Sequence, residues 1–313
     1  MNLTAKEVFP GLETLVSASR FNRVSNAIQG LFHKSLTRLE NGRPFIITGD
    51  IPAMWLRDST WQVAPLLNSN HPDVINLLIE LSQTQSELFL IDPYANAFNP
   101  TPNGNNWHKD FPNQSPWVFE RKFELDSLAS VLYLARMIIE KYDRWEHIDT
   151  NFQEALKVML ALARREQHHD PDSYVFTRDN GVPHDSLSHN GRGAPTGYTG
   201  MIYSAFRPSD DACMYGYLVP SNLFFLNELE QLNEKLKSSE SKGLSFEIRN
   251  GLEKFAIIDG RYAYEVDGLG NSLTIDDANI PSLLSLPLLG CVESGDEIYR
   301  ATRDFILSEQ NPF

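Results

Sequence analysis

"RKFELDSLASVLYLARMIIEKY", residues 121–142, decides how this chain folds. Leu, Ala, Met and Ile dominate it, and neither Gly nor Pro interrupts it. It reads as one long, strongly apolar helix. Asp126 lies inside it, in "FELDSLASVL". An Asp on the apolar stripe of a helix needs a reason, because burying its charge is costly. Facing a pocket is the expected reason.

Helical spacing continues on both sides. "NFQEALKVMLALARREQ" (151–167) ends in basic residues, which suit the helix dipole. "VSNAIQGLFHKSLTRLE" (24–40) sets Val24, Ile28, Leu31 or Phe32, Leu36 and Leu39 on one stripe. "STWQVAPLLN" (59–68) is expected to be capped by Asp58 or Ser59, and "HPDVINLLIELSQTQSELFLID" (71–92) to begin at His71 or Pro72. A helix is expected over 209–236, opened by Ser209-Asp210-Asp211 and interrupted near Pro220. Residues 247–258, 276–290 and 297–309 are further helix candidates. The strand candidates are short: "SYVFTRD" (173–179) and "GRYAYEVDGLGN" (260–271). The class is therefore mostly α, with helices in antiparallel succession. A 40–45-residue helix–loop–helix rhythm without a shared motif suits an α/α toroid or an irregular bundle. No Ser/Gly-rich or charged linker divides the chain, so residues 1–313 are expected to form one domain.

Composition narrows the partners. The 313 residues carry a formal charge of −14, and 42% of them are apolar. The apolar share permits a large core. The acidity argues against nucleic acid and anionic membranes, and is also common in soluble proteins. Cys213 and Cys291 lie in apolar runs without Cys or His at ligand spacing, so buried thiols are expected and zinc is not. The start lacks the pattern of a signal peptide, and no apolar run is long enough to span a membrane; a cytoplasmic location is expected.

The loops carry the chemistry. Residues 91–122 hold Tyr94, Phe98, Trp107, Phe111 and Trp117 among Asn, His and Asp. Residues 179–211 are rich in glycine and end in Arg207-Pro-Ser-Asp210-Asp211. Loops of this length are functional or disordered, and their aromatic content opposes disorder. A third stretch, "TGDIPAMWLRDS" (48–59), packs Trp55, Arg57 and Asp58 together. Flat rings beside carboxylates, amides and Arg are what a sugar needs, with its apolar faces and rim of hydroxyls. Cleaving a glycosidic bond adds two carboxyl groups, an acid and a base or nucleophile. Candidates are Asp50, Asp58, Asp110, Asp126, Asp185, Asp210, Asp211, Asp276 and Asp277. Asp210, Asp211, Asp276 and Asp277 would serve equally as helix caps, and Trp55 and Trp107 equally as core aromatics. His184, Asp185 and His189 give a weak hint of metal binding, and "GRGAPTG" lacks the features of a phosphate loop.

Four blocks, "GRPFIITGDIPAMWLRDSTWQV", "FERKFELDSLASVLYLA", "FRPSDDACMYGYLVPSNLF" and "IDDANIPSLLSLPLLG", resemble in order those of glycoside hydrolase family 125. These are bacterial and fungal exo-acting α-1,6-mannosidases. The resemblance implies an (α/α)6 toroid and an inverting hydrolysis of mannose-containing glycans that needs no metal or other cofactor. It implies that the acid is Asp210 or Asp211. It places Arg57 and Asp58 on the hydroxyls of the terminal mannose, with Trp55 shaping the wall. Trp107, Asp126, Arg207 and Asp277 are further pocket candidates. The family's base is a Glu expected beyond Phe313, together with the last helices of the toroid, so none is named in this chain. The alternative expectation is a mannoside-binding protein without turnover.

Overall fold

In the computed structural model, which describes residues 1–311, the central element is the Leu125–Tyr142 helix. It is buried around its circumference: Leu128, Leu132 and Ala135 on one side, and Val131, Leu134 and Ile138 on another, are nearly inaccessible. A helix apolar all round must be enclosed. Helices Leu56–Val63, Pro72–Ile91 and Val219–Leu236 enclose it. Thr150–Glu166 packs on Pro72–Ile91, and Lys242–Phe255 packs on Val219–Leu236. The mostly α class and the helical succession hold.

The caps explain several boundaries. Asp149 accepts from the Phe152 amide at 3.0 Å and starts the 150–166 helix. The ring of His71 accepts from the Asp73 amide, with Pro72 in the first turn, which needs no donor there. At its far end the central helix stops at Asp143, in a left-handed conformation.

Elsewhere local signals override the apolar period. The helix expected over 24–40 runs instead from Ala18 to Gly30, then one wide turn, Leu31–Ser35. Residues Leu36–Arg38 pair antiparallel with Pro44–Ile46. The Asn41-Gly42 turn between them, with Gly42 at φ 82°, explains this. Asp58 and Ser59 do not cap the next helix; Trp55 occupies that position. The central helix starts four residues late, at Leu125, because the chain leaves the Val118–Glu120 strand only just before it and Glu124 is still extended. Val118–Glu120 joins Met54–Trp55 and Ala97–Phe98 in a three-stranded antiparallel sheet. Pro220 begins its helix rather than interrupting it, so Ser209, Asp210 and Asp211 cap nothing and lie in a loop. Tyr217–Leu218 in turn pairs with Glu265–Val266, which pairs with Ser272–Leu273. Residues 276–290 form no helix, being irregular up to 282 and turns over 283–290, and 173–179 makes only one bridge, Thr177 to Phe111. Among the described residues no helix is long and apolar enough to cross a membrane.

Candidate active site

Glu120, Lys122, Glu124 and Asp126 alternate along the extended run into the central helix, and each is at most 3% exposed. In extended chain, side chains two apart share a face. This polar face turns inward. On the opposite face, Phe119 packs edge-on against Trp55 and Trp107 at 5.5 and 5.6 Å. Arg121 there reaches Asp92 at 2.7 Å, and Phe123 joins the core.

Buried charges must be paired or neutralised. Arg178 grips Asp110 with both arms of its fork at 2.8 Å and reaches Glu120 at 2.9 Å. Lys122 pairs with Asp185 at 2.5 Å and donates to the Asp210 carbonyl at 2.7 Å. Arg57 sits 3.0 Å from Asp126 and 3.6 Å from Asp58. The Arg57–Asp126 contact is electrostatic rather than an aligned hydrogen bond, since Arg57 Nε and Asp126 Oδ2 both lack a hydrogen-bond partner. Asn96 ties the group together, donating to Glu120 at 3.1 Å and Glu124 at 3.2 Å and accepting from the Lys122 amide.

Above this floor opens a cavity of about 370 Å³, large enough for a small sugar. Trp55, Trp107, Thr48 and Ile51 form its less polar walls. Asp58, Glu120, Lys122, Arg178, Asp185 and Asp210 line it with charge, and His108 stands beside them. Burial pushes the Glu124 carboxyl well above its ordinary range, against the pull of Arg57. Burial likewise lifts Asp126 to about 6, with Arg57 opposing. Asp210 is raised by burial and by the nearby Glu120. Burial would raise Asp185 too, but Lys122 and Arg178 hold it at about 2. A site with carboxyls in opposite protonation states can both donate and accept protons.

The structure thus brings Trp55, Asp58, Trp107 and Asp210 to one cavity. Arg57 and Asp126 lie behind its wall as a buried pair. Asp211 is adjacent in sequence but faces His184 at 3.7 Å, and its side chain is 43% exposed. Arg207 is bound to Glu265 at 2.5 Å, away from the lining. Asp277 accepts from Ser209 at 3.0 Å, and Asp276 from the amides of Leu283 and Leu284. Asp50 is exposed. His184, Asp185 and His189 do not converge, and among the described residues no three His, Cys, Asp or Glu are placed to hold a metal ion. Both thiols are free, Cys213 buried and Cys291 partly so. Sequence reasoning missed Glu120, Lys122, Glu124 and Arg178. The signal for the first three was the period-two alternation E-x-K-x-E-x-D over 120–126, hidden by reading that run as helix.

Comparison with known proteins adds to this geometry. The sequence model of the metal-independent alpha-mannosidases, GH125, matches residues 10–313. A Streptococcus pneumoniae chain described among widely distributed metal-independent alpha mannosidases superposes with a TM-score of 0.90 at 37% identity, over 100% of this chain and 79% of that one. That protein is in a non-productive substrate complex with alpha-1,6-mannobiose. The agreement gives this chain the (α/α)6 toroid fold. The Meiotically up-regulated gene 157 protein of Schizosaccharomyces pombe is 39% identical over 87% of this chain. The chain spans 60% of the length of that curated relative. A glycosidase 14% identical, with a TM-score of 0.50 over 81% of this chain and 60% of its own, shares the fold alone.

Proposed function

We propose that this chain, which belongs to the GH125 family of metal-independent alpha-mannosidases, hydrolyses α-1,6-linked mannosides from the non-reducing end with inversion. The observation that carries the reading is the carboxyl-rich cavity walled by Trp55 and Trp107, in a fold shared with a relative that is complexed with alpha-1,6-mannobiose. Trp55 and Trp107 hold the apolar faces of the terminal mannose, and Asp58 accepts from its hydroxyls. Asp210 donates the proton to the glycosidic oxygen as the bond to the anomeric carbon breaks. Its raised affinity for protons suits that role, since an acid must still hold its proton near neutral pH. Asp211, exposed and turned to His184, takes no part. Water attacks the anomeric carbon from the opposite face of the ring and gives its proton to a carboxylate base, giving the inverted product.

The test is mannose release from α-1,6-mannobiose beside the α-1,2 and α-1,3 isomers, with the first-formed anomer read by NMR. Release from the α-1,6 isomer alone, as β-mannose, is expected. An α-anomer product would overturn inversion. Release from all three isomers would remove the linkage specificity. Calorimetric binding of α-1,6-mannobiose without release would instead make the chain a mannoside-binding protein.

A further inference from the structure

Asp210 sits in a tight loop. Phe206 and Ala212 form an antiparallel bridge at its base. Within it the Arg207 amide donates to the Asp211 carbonyl at 2.8 Å, and the Asp210 amide to the Arg207 carbonyl at 2.9 Å. Asp210 has a φ of 68°, in the left-handed region. A residue with a side chain seldom adopts it, and keeps it only where its surroundings over-determine it. Here the stretch that enters the central helix supplies them. The Phe123 carbonyl accepts from the amides of Ala205 and Phe206 at 3.1 Å, which fixes the base of the loop. One residue earlier, the Lys122 ammonium stands 5.0 Å from the centre of the Phe206 ring and donates to the Asp210 carbonyl at 2.7 Å, which fixes the tip. Lys122 is itself held. Its amide donates to Asn96 at 3.1 Å, its ammonium meets Asp185 at 2.5 Å, and Glu120 lies 4.0 Å away. Asp185 is shared with Arg178 at 3.4 Å and Asn180 at 2.6 Å. Three segments distant in sequence thus converge on one ammonium.

We propose that Lys122 is the positioning residue of the acid, its ammonium tying down the Asp210 carbonyl so that the Asp210 carboxyl is presented to the glycosidic oxygen. This inference rests on the reading of Asp210 as the acid. Lys122 borders the cavity but is 1% exposed, and two of its three N–H donors are already given to Asp185 and to the Asp210 carbonyl. It therefore acts on the sugar through Asp210. In the step itself Asp210 O–H breaks and its proton passes to the glycosidic oxygen. The electron pair of the broken C–O bond stays on that oxygen, and Asp210 is left anionic. Lys122 gains and loses no proton, and the new charge forms in the field of its ammonium. The charged groups acting on the Asp210 carboxyl are Glu120, Lys122, Arg57 and Glu124, and Asp58 and Asp185 line the same cavity. Burial and Glu120 raise it, and Lys122 and Arg57 pull it back.

The experiment compares the whole chain with Lys122→Met and with the double variant Lys122→Met/Asp185→Asn, each checked for folding by circular dichroism. Met keeps an unbranched stem beside Phe206. The double variant also removes the carboxylate that Met would leave short of a partner, so it carries the comparison of kcat if the single variant fails to fold. With α-1,6-mannobiose, kcat is expected to fall by up to about 10²-fold in both variants, as a misplaced reacting group costs, with KM nearly unchanged. In Lys122→Met the alkaline limb of the kcat/KM profile is expected to move to higher pH, because a cation that lowers the proton affinity of Asp210 is gone. Full kcat in either folded variant would overturn the proposal. A rise in KM in place of the fall in kcat would also overturn it, since Lys122 would then bind the sugar directly. Lost kcat with the alkaline limb unmoved would reduce Lys122 to packing. Asp210→Asn that kept full mannobiose release would refute the acid assignment and this inference with it. An inactive Asp210→Asn beside a fully active Lys122→Met would sink this inference alone.

Discussion

Asp210 and Asp211 are neighbours in sequence with opposite surroundings. Asp210 is pulled into the cavity by its left-handed backbone and by the Lys122 hydrogen bond to its carbonyl. Asp211 points outward, at His184. Asp210→Asn is therefore predicted to lower kcat for α-1,6-mannobiose by roughly 10²–10⁴-fold, the usual worth of a general acid. Asp211→Asn is predicted to change it by less than about twofold, since exposed substitutions away from the chemistry do little. Equal losses in both variants, measured by mannose release, would contradict this division. Arg57 illustrates another residue-scale point. It stands behind the wall, holding the charge of Asp126. Arg57→Met should then cost about 3–5 kcal/mol of stability by stranding a buried carboxylate. Denaturant unfolding checks this, and loss of sugar affinity with unchanged stability would return Arg57 to the wall itself.

At the scale of elements, the 118–124 extended run does two jobs through alternation. Glu120, Lys122 and Glu124 build the charged floor, and Phe119 braces both Trp55 and Trp107. Phe119→Ala is predicted to destabilise the fold by about 3–5 kcal/mol, as for other buried aromatics, and to weaken mannobiose binding because both rings lose their edge contact. Phe119→Leu should restore most of the stability and less of the binding. A variant that binds the sugar normally in calorimetry would separate the brace from the site. This element also shows why part of the site was illegible. Apolar content marked 121–142 as helix, but the chain enters it from the Val118–Glu120 strand paired with Ala97–Phe98, Glu124 is still extended, and the helix starts only at Leu125. Sheet partners come from distant sequence, and local period cannot announce them. The loop after Arg207 was misread for a related reason: Asp-rich starts look like caps, yet the helix begins only at Val219, where Pro220 fits the first turn.

Across the whole molecule, buried carboxyls set the pH response. Asp126 and Asp276 are both raised to about 6, chiefly by burial. In this range the folded state binds more protons than the unfolded chain, so their contribution is present below the ordinary Asp value and fades as pH rises through 6. Stability is predicted to fall by up to about 1.4 kcal/mol per pH unit for each such proton over that window. Asp276→Asn should flatten the slope between pH about 4 and about 6, read by urea unfolding at each pH; an unchanged slope would show that Asp276 does not titrate there. EDTA is predicted to leave activity intact, in keeping with the metal-independent family; loss restored by one specific ion would overturn that. The sequence by itself determined the helical class, because apolar period is a local property. It also determined the presence of a sugar-type mix of rings and carboxylates, and the four blocks that identify the family. Tertiary structure decided which carboxylates meet. Glu120, Lys122, Glu124 and Asp126 converge with Asp210 only because a strand pairing turns one face of the chain inward. Burial then sets their proton affinities, and burial is a property of the assembled fold.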